Sequence, residues 1–151
     1  MPMEPLTQWW CDACGELIEN RQEGAVEYRF DRQAPKESCH QSFRIVHNGN
    51  AGDRGRPDGL QGCIEKGTDK RGFGEAPLTD LMDERGILRM IGWKSTEATW
   101  DETFRRISVP YFEEARRLFE RAAADGDEII PEKLSTPTLK AIIAKYADAD
   151  R

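Results

Sequence analysis

The chain has few of the features that commonly identify a function. Its 151 residues include only two histidines, and they contain no phosphate-binding loop G-x-x-x-x-G-K-[ST], no H-E-x-x-H and no G-x-S-x-G. Long apolar runs are also absent, since none approaches the ~20 residues that cross a bilayer. No charged segment followed by an apolar core is present at the beginning, so no signal peptide is predicted. We therefore expect a cytoplasmic protein without a membrane partner.

A basic stripe is missing as well, and this counts against nucleic-acid binding. The formal net charge is -6, with 10 Lys and Arg against 13 Asp and Glu in residues 1–77 and 12 against 15 in residues 78–151. Nucleic-acid binders usually concentrate basic residues, because neutralising phosphates supplies much of their affinity. The nearest approach to a basic cluster has acidic residues interleaved with it: Arg54, Arg56, Lys66, Lys70 and Arg71, with Asp53, Asp58, Glu65 and Asp69 between them.

The most informative pattern that is present is Trp10-Cys11-Asp12-Ala13-Cys14-Gly15. Two thiolates at C-x-x-C spacing can bind one metal ion from a tight turn, and a following glycine supplies the backbone freedom that such a turn needs. Since no export signal is visible, a metal site is a better interpretation of the four cysteines than a pair of disulfides. The pattern predicts a structural zinc site in the first half of the chain.

Two further ligands are needed to complete a tetrahedral site. The candidates are every other Cys and His in the chain, namely Cys39, His40, His47 and Cys63. The preferred set is Cys11, Cys14, His47 and Cys63, because His47 ends a predicted strand and Cys63 follows a loop long enough to return it there. A set with Cys39 or His40 is the alternative, although two adjacent residues rarely both reach one ion. Three thiolates and an imidazole favour one Zn²⁺ ion over hard cations.

Enzymatic interpretations of these residues have less support. A redox C-x-x-C normally opens a helix within a βαβ pattern, and no such pattern surrounds Cys11. His47-Asn48 near cysteine pairs raises a metal-dependent nuclease of HNH type, or a hydrolase. That chemistry needs a general-base histidine and metal ligands beyond the structural zinc, and only His40 would remain. We predict no enzyme activity and no catalytic residues.

The hydrophobic pattern changes along the chain. Residues 25–30 and 42–47 alternate apolar and polar side chains, which predicts two strands. Their antiparallel pairing would carry His47 towards the C-x-x-C-G turn of residues 11–15, which we call the knuckle. Between 48 and 62 the turn-forming residues predict a long loop. Helices are predicted over about 79–85, where Gly86 is expected to end the helix, over 99–107 and 110–124, and from 135 or 136 onwards. Residues 87–93 are interpreted as a short strand or a packed connector. Residues 1–77 and 78–151 are therefore treated as two parts.

The order of these motifs resembles a known group of proteins. It starts with Trp10-Cys11-x-x-Cys14-Gly15-x-x-Ile18 and Gly24-Ala25-Val26-Glu27-Tyr28, and continues with Phe43-x-Ile45-Val46-His47 and Val109-Pro110-Tyr111-Phe112. This order resembles a group of short, uncharacterised bacterial and phage proteins with a zinc-ribbon-like N-terminus. The resemblance implies a zinc fold with Cys11, Cys14, His47 and Cys63 as ligands, and it implies no activity.

These observations together predict an α+β fold. Residues 1–77 form a small antiparallel zinc-ribbon-like module, and residues 78–151 form a region of three to four helices packed on it. The predicted function is non-catalytic: one structural zinc ion orders a surface that binds a macromolecular partner, most simply a protein. A zinc-ribbon regulator that binds nucleic acid is the alternative, because zinc ribbons often serve in that role.

Overall fold

The computed structural model describes residues 2–31, 33, 35, 39–65, 73–93 and 98–150. Within these ranges the chain forms two small antiparallel sheets and six α-helices, so the predicted mixed α+β class is confirmed. The backbone divides into two compact units, one formed by Thr7–Ser108 and the other by Met1–Leu6 together with Val109–Arg151. The division predicted at residues 77 and 78 falls inside the first unit. No helix in the described ranges is long and apolar enough to span a membrane.

The smaller sheet flanks the knuckle on both sides in sequence. Strands β1 (Trp9–Trp10) and β2 (Leu17–Ile18) pair antiparallel, with Trp9 opposite Ile18. Both of these side chains are fully buried. The six residues between the strands form the turn that carries the C-x-x-C motif, so the sheet holds the two ends of that turn together.

The larger sheet has the order β4–β3–β5, and all of its pairs are antiparallel. Its strands are β3 (Gly24–Phe30), β4 (His40–His47) and β5 (Phe73–Pro77). The predicted pairing of the first two is confirmed, with Gly24 opposite His47. Strand β5 was not predicted, because its sequence Phe-Gly-Glu-Ala-Pro lacks a clear alternation.

Three helices complete the first unit: α1 (Leu78–Leu81), α2 (Glu84–Gly92) and α3 (Ala98–Ser108). The interpretation of residues 87–93 as a strand or connector is wrong, and so is a helix that ends at Gly86. Asp83 Oδ1 accepts a hydrogen bond from Gly86 N at 2.8 Å, so Asp83 caps a new helix where the sequence was read as a stop. Gly86 is buried there, and a Cβ on it would lie 2.2 Å from the Leu81 backbone.

The second unit is helical and contains α4 (Phe112–Arg116), α5 (Phe119–Ala124) and α6 (Thr136–Tyr146). The single helix predicted over 110–124 is interrupted: α4 starts only after Tyr111, whose φ is +69°, and it is separated from α5 at residues 117 and 118. The predicted last helix is confirmed. Apolar side chains from all three helices form one buried cluster: Phe112, Ala115, Leu118, Ala122, Leu139, Ile142 and Tyr146.

Candidate metal centre

The C-x-x-C motif forms a tight turn between β1 and β2. Cys11 N donates to Glu16 O at 2.9 Å, and Gly15 N donates to Cys11 O at 2.9 Å. Gly15 has φ +75°, a conformation that residues with a Cβ rarely adopt, and this explains the glycine after the second cysteine. Cys11 is buried and Cys14 is exposed, so the turn presents one thiol inwards and one near solvent.

His47 ends β4 with its imidazole buried and oriented. His47 is only 1% exposed. The ring Nε2 is 3.1 Å from Leu17 O, and because a carbonyl oxygen only accepts, Nε2 must carry the proton. The lone pair of the neutral ring is then on Nδ1, which lies 3.4 Å from Cys14 Sγ and 3.7 Å from Cys63 Sγ. Such a backbone partner is the usual way in which proteins orient a metal-binding histidine.

Cys63 reaches the same point from the end of the loop that follows β4. Cys63 N donates to His47 O at 2.8 Å, which ties the two candidate ligands together through the backbone. The preceding Gly62 has φ +68° and packs so closely that a Cβ would lie 2.2 Å from Asn48 O. Its N–H donates to Gly52 O at 2.8 Å. The predicted loop over 48–62 therefore does return Cys63 to His47.

The structure brings the four predicted ligands together. One ligand atom from each of Cys11, Cys14, His47 and Cys63 lies within 4.8 Å of every other. In a tetrahedral site with Zn–S of about 2.3 Å and Zn–N of about 2.0 to 2.1 Å, neighbouring ligand atoms are roughly 3.6 to 3.8 Å apart. The two measured Sγ–Nδ1 distances, 3.4 and 3.7 Å, match that separation. All four cysteines are free thiols, so the cluster could hold a metal ion.

The electrostatics of the cluster also suit a cation. Burial, together with the neighbouring Cys11 and Cys14 side chains, raises the pKa of the Cys63 thiol to about 12. Burial is the larger cause, because a thiolate at Cys63 would be poorly solvated, and the Cys11 and Cys14 side chains add to it. A divalent cation reverses both effects, because it deprotonates the thiols that coordinate it. Without a cation, the Cys63 thiol would remain protonated at neutral pH.

Asp12 and Arg106 fix the knuckle to the rest of the first unit, and no sequence pattern pointed to them. Asp12 N donates to Ile45 O at 2.8 Å, and Asp12 Oδ2 accepts from Ile45 N at 2.7 Å. Arg106 Nη1 donates to the same Oδ2 at 2.6 Å, and Arg106 Nη2 donates to Trp10 O at 2.9 Å. We call this the Asp12–Arg106 pair. Its two residues are 94 positions apart, a separation that leaves no local signal.

The alternative ligands Cys39 and His40 lie elsewhere in the sheet. Cys39 Sγ is 3.1 Å from His40 Nδ1, so the two contact each other. The His40 ring packs against the rings of Tyr28, Phe30 and Trp93, and burial lowers its pKa. Among the described residues, neither joins the group of potential ligands formed by the preferred set. The geometry favours that set, and coordination by its members stays a prediction.

Comparison with known proteins adds no further assignment. No family model, no curated protein and no solved structure matches this chain. The resemblance to short bacterial and phage proteins, and the zinc-ribbon character of the first part, therefore stay predictions. Functional inference depends on the geometry of the chain itself.

Proposed function

We propose that Cys11, Cys14, His47 and Cys63 bind one structural zinc ion, and that the protein is a non-catalytic module that presents a surface to a protein partner. The observation that carries the first part is the closed set of four ligand atoms within 4.8 Å. Catalytic zinc sites generally have three protein ligands and leave a fourth position for water or substrate, whereas structural sites use four. Three of the four residues here are also buried.

Zinc is the metal that best suits this donor set. Thiolate and imidazole ligands select a borderline-soft ion, whereas Mg²⁺ and Ca²⁺ prefer carboxylate and carbonyl oxygens. Bound there, the ion would join the β1–β2 turn, the end of β4 and the loop before Cys63. These segments are also connected by hydrogen bonds such as Cys63 N to His47 O and Asp12 N to Ile45 O, to which a metal ion would add covalent-like links. The ion would thus contribute directly to the folding of the first unit.

The proposed partner surface is the exposed side of α2. Ile87, Leu88 and Ile91 are 41%, 64% and 52% exposed, and they are the large exposed hydrophobic residues in the described part of the chain. Because residues three and four apart are neighbours on a helix, the three side chains form one apolar strip. Aliphatic strips of this spacing are typical of helices that bind in a partner's groove. Arg85 and Arg89 are also exposed on this helix.

Metal content tests the first part of the proposal. Protein purified without added metal should contain about one zinc per chain, as expected for a site that binds its ion tightly. Cys14→Ser should lower both the zinc content and the melting temperature, and Cys39→Ser is the matched control because Cys39 lies outside the cluster. If Cys14→Ser changed neither quantity, the structural zinc centre would be rejected.

Quantitative affinity capture with paired baits tests the partner surface. Leu88→Lys places a charge in the apolar strip, and Ala123→Lys places the same side chain at an exposed position on α5. We expect one protein to be retained by the wild type and by Ala123→Lys but lost with Leu88→Lys. Identical retention by all three baits, each folded and zinc-loaded, would exclude α2 as the docking surface.

A further inference from the structure

Arg54 lies next to the exposed cysteine of the candidate metal centre. Its Nη2 is 3.9 Å from Cys14 Sγ, and the same nitrogen forms an ion pair with Glu16. The Arg54 side chain is only 21% exposed, whereas that of Glu16 is 69% exposed. A residue of the loop after β4 therefore reaches back to the knuckle and lies against one of its two thiols.

The ion pair with Glu16 does not account for the position of the whole guanidinium group. Arg54 Nε is a buried side-chain nitrogen with no hydrogen-bond partner among the described residues. Buried polar groups almost always have a partner, so an exception requires an explanation. A concentration of negative charge nearby provides one, because it attracts the delocalised positive charge of the entire group.

The loaded centre would have such a charge. Three thiolates, a neutral imidazole and a divalent cation leave a net charge of -1 on the site. Cys11 and Cys63 are buried, but Cys14 is exposed and is the ligand most accessible to protons, chelators and electrophiles. The cation of Arg54 lies beside that ligand.

We infer that Arg54 is a positioning residue of the metal centre: it offsets the negative charge of the loaded site and holds Cys14 as a bound thiolate. This inference rests on the proposed zinc function. It extends the centre from four ligands to a fifth residue, which contacts a ligand without coordinating the ion. Residues in this role commonly determine how tightly a protein retains its metal.

Competition for zinc against a chromogenic chelator tests the inference with three variants. Arg54→Gln removes the charge, Arg54→Lys keeps it, and Glu16→Gln removes the ion-pair partner while leaving Arg54 in place. Arg54→Gln should weaken zinc affinity about 10- to 100-fold, the range for loss of a residue that supports a ligand. Arg54→Lys should restore most of the affinity, and Glu16→Gln should leave it near the wild-type value.

Two results would overturn the inference while leaving the proposed function intact. One is wild-type affinity in Arg54→Gln; the other is an equal loss in Glu16→Gln, which would show that Arg54 acts only through its ion pair. A wild type that binds no zinc would instead reject the proposed function itself.

Alkylation of Cys14 supplies a second measurement, and it does not require Arg54→Gln to bind zinc as tightly as the wild type. Zinc-loaded protein is treated with neutral iodoacetamide or anionic iodoacetate, and modification at Cys14 is quantified by peptide mass spectrometry. A neighbouring cation favours the anionic reagent, so the ratio of the iodoacetate rate to the iodoacetamide rate should fall in Arg54→Gln and be retained in Arg54→Lys. An unchanged ratio in Arg54→Gln would contradict a role for the charge of Arg54.

Discussion

The buried residues of the two compact units differ in kind. In Thr7–Ser108 they include Glu27, His47, Thr103 and Arg106, whereas in the described part of Val109–Arg151 the buried polar residue is Glu113. The first unit places its polar groups at long-range contacts, such as His47 with Leu17 and Asp12 with Arg106. The second is held by an apolar cluster drawn from three helices. The first unit also has an apolar cluster of its own, so its stability should depend on the proposed metal centre and these polar contacts as well as on packing, whereas the second should depend mainly on packing.

Metal removal should produce the largest difference in stability between the two units. A chelator applied with a reductant, or Cys63→Ser, should abolish amide protection in β1, β2 and the end of β4 and leave α6 protected. The reason is that all four proposed ligands belong to three segments of the first unit, so a bound ion would stabilise that unit directly. Hydrogen exchange followed by mass spectrometry measures both regions in one experiment. All four tryptophans lie in the first unit, so their fluorescence should report the same loss.

Protection lost equally in α6 would show that the second unit depends on the metal, and the contrast between the units would fail. Cys39→Ser is the control for removing a thiol as such, because Cys39 is outside the cluster.

Leu139→Ala is the converse experiment in the second unit. Leu139 is fully buried within the apolar cluster, so its truncation leaves a cavity that should cost about 2 to 5 kcal/mol of unfolding free energy. Zinc content and tryptophan fluorescence should not change. Denaturant unfolding monitored by far-ultraviolet circular dichroism measures the loss. The control is Ala141→Gly at an exposed position of the same helix, which should cost about 1 kcal/mol through helix propensity without removing a buried side chain. A drop in zinc content of Leu139→Ala would contradict independent stabilisation.

Asp12→Asn tests the Asp12–Arg106 pair and leaves the four proposed metal ligands unchanged. The change removes the carboxylate that Arg106 contacts at 2.6 Å, and Arg106 is only 3% exposed. Loss of one counter-charge beside a buried guanidinium is destabilising, and because Asp12 is itself 27% exposed we expect about 2 kcal/mol rather than the larger cost of a fully buried pair. Denaturant unfolding followed by tryptophan fluorescence gives the value.

The single variant Arg106→Met and the double variant Asp12→Asn/Arg106→Met complete a double-mutant cycle for this pair. Additive losses would mean that Asp12 and Arg106 do not stabilise each other, since coupling between contacting residues appears as non-additivity. Zinc content measured in parallel shows whether the knuckle keeps its ion without this support.

The sequence was sufficient to predict which four Cys and His side chains come together, and the reason is visible in the pattern. Cys11 and Cys14 are close in sequence, His47 ends an alternating strand, and only six Cys and His residues exist in the chain. The structure brings the preferred four together and leaves Cys39 with His40. A small set of Cys and His residues and a clear strand period were enough to select the four that cluster, whereas metal binding by them stays a prediction.

Other features depended on contacts that no local pattern records. Arg54 and Arg106 contact the knuckle from 40 and 94 residues away, respectively, and both appear in the sequence as ordinary surface charges. Helix α2 was misread because Gly86 is a common helix terminator, whereas here its missing Cβ permits close packing on Leu81. Strand β5 contains Gly74, where a Cβ would lie 2.5 Å from the Tyr28 ring. In both places tertiary packing explains the glycine better than local propensity does.

The smallest expected effect is a pH dependence in the second unit. Tyr146 Oη and Lys145 Nζ donate to Asp127 Oδ2 at 2.6 and 2.9 Å, and these hydrogen bonds, that of Tyr146 first, lower the pKa of Asp127. A carboxyl group with a lowered pKa in the folded state contributes stability above its unfolded pKa of about 3.9, and the contribution is lost as the pH falls through the folded value.

Asp127→Asn should therefore lower the melting temperature slightly at pH 7, and the difference from wild type should vanish towards pH 2. Acid would also release a zinc ion bound by thiolates in either protein, but that effect would cancel in the difference between them. A difference that persisted unchanged at low pH would show that Asp127 acts through its shape rather than its charge, and the second unit would then have no electrostatic contribution at this position.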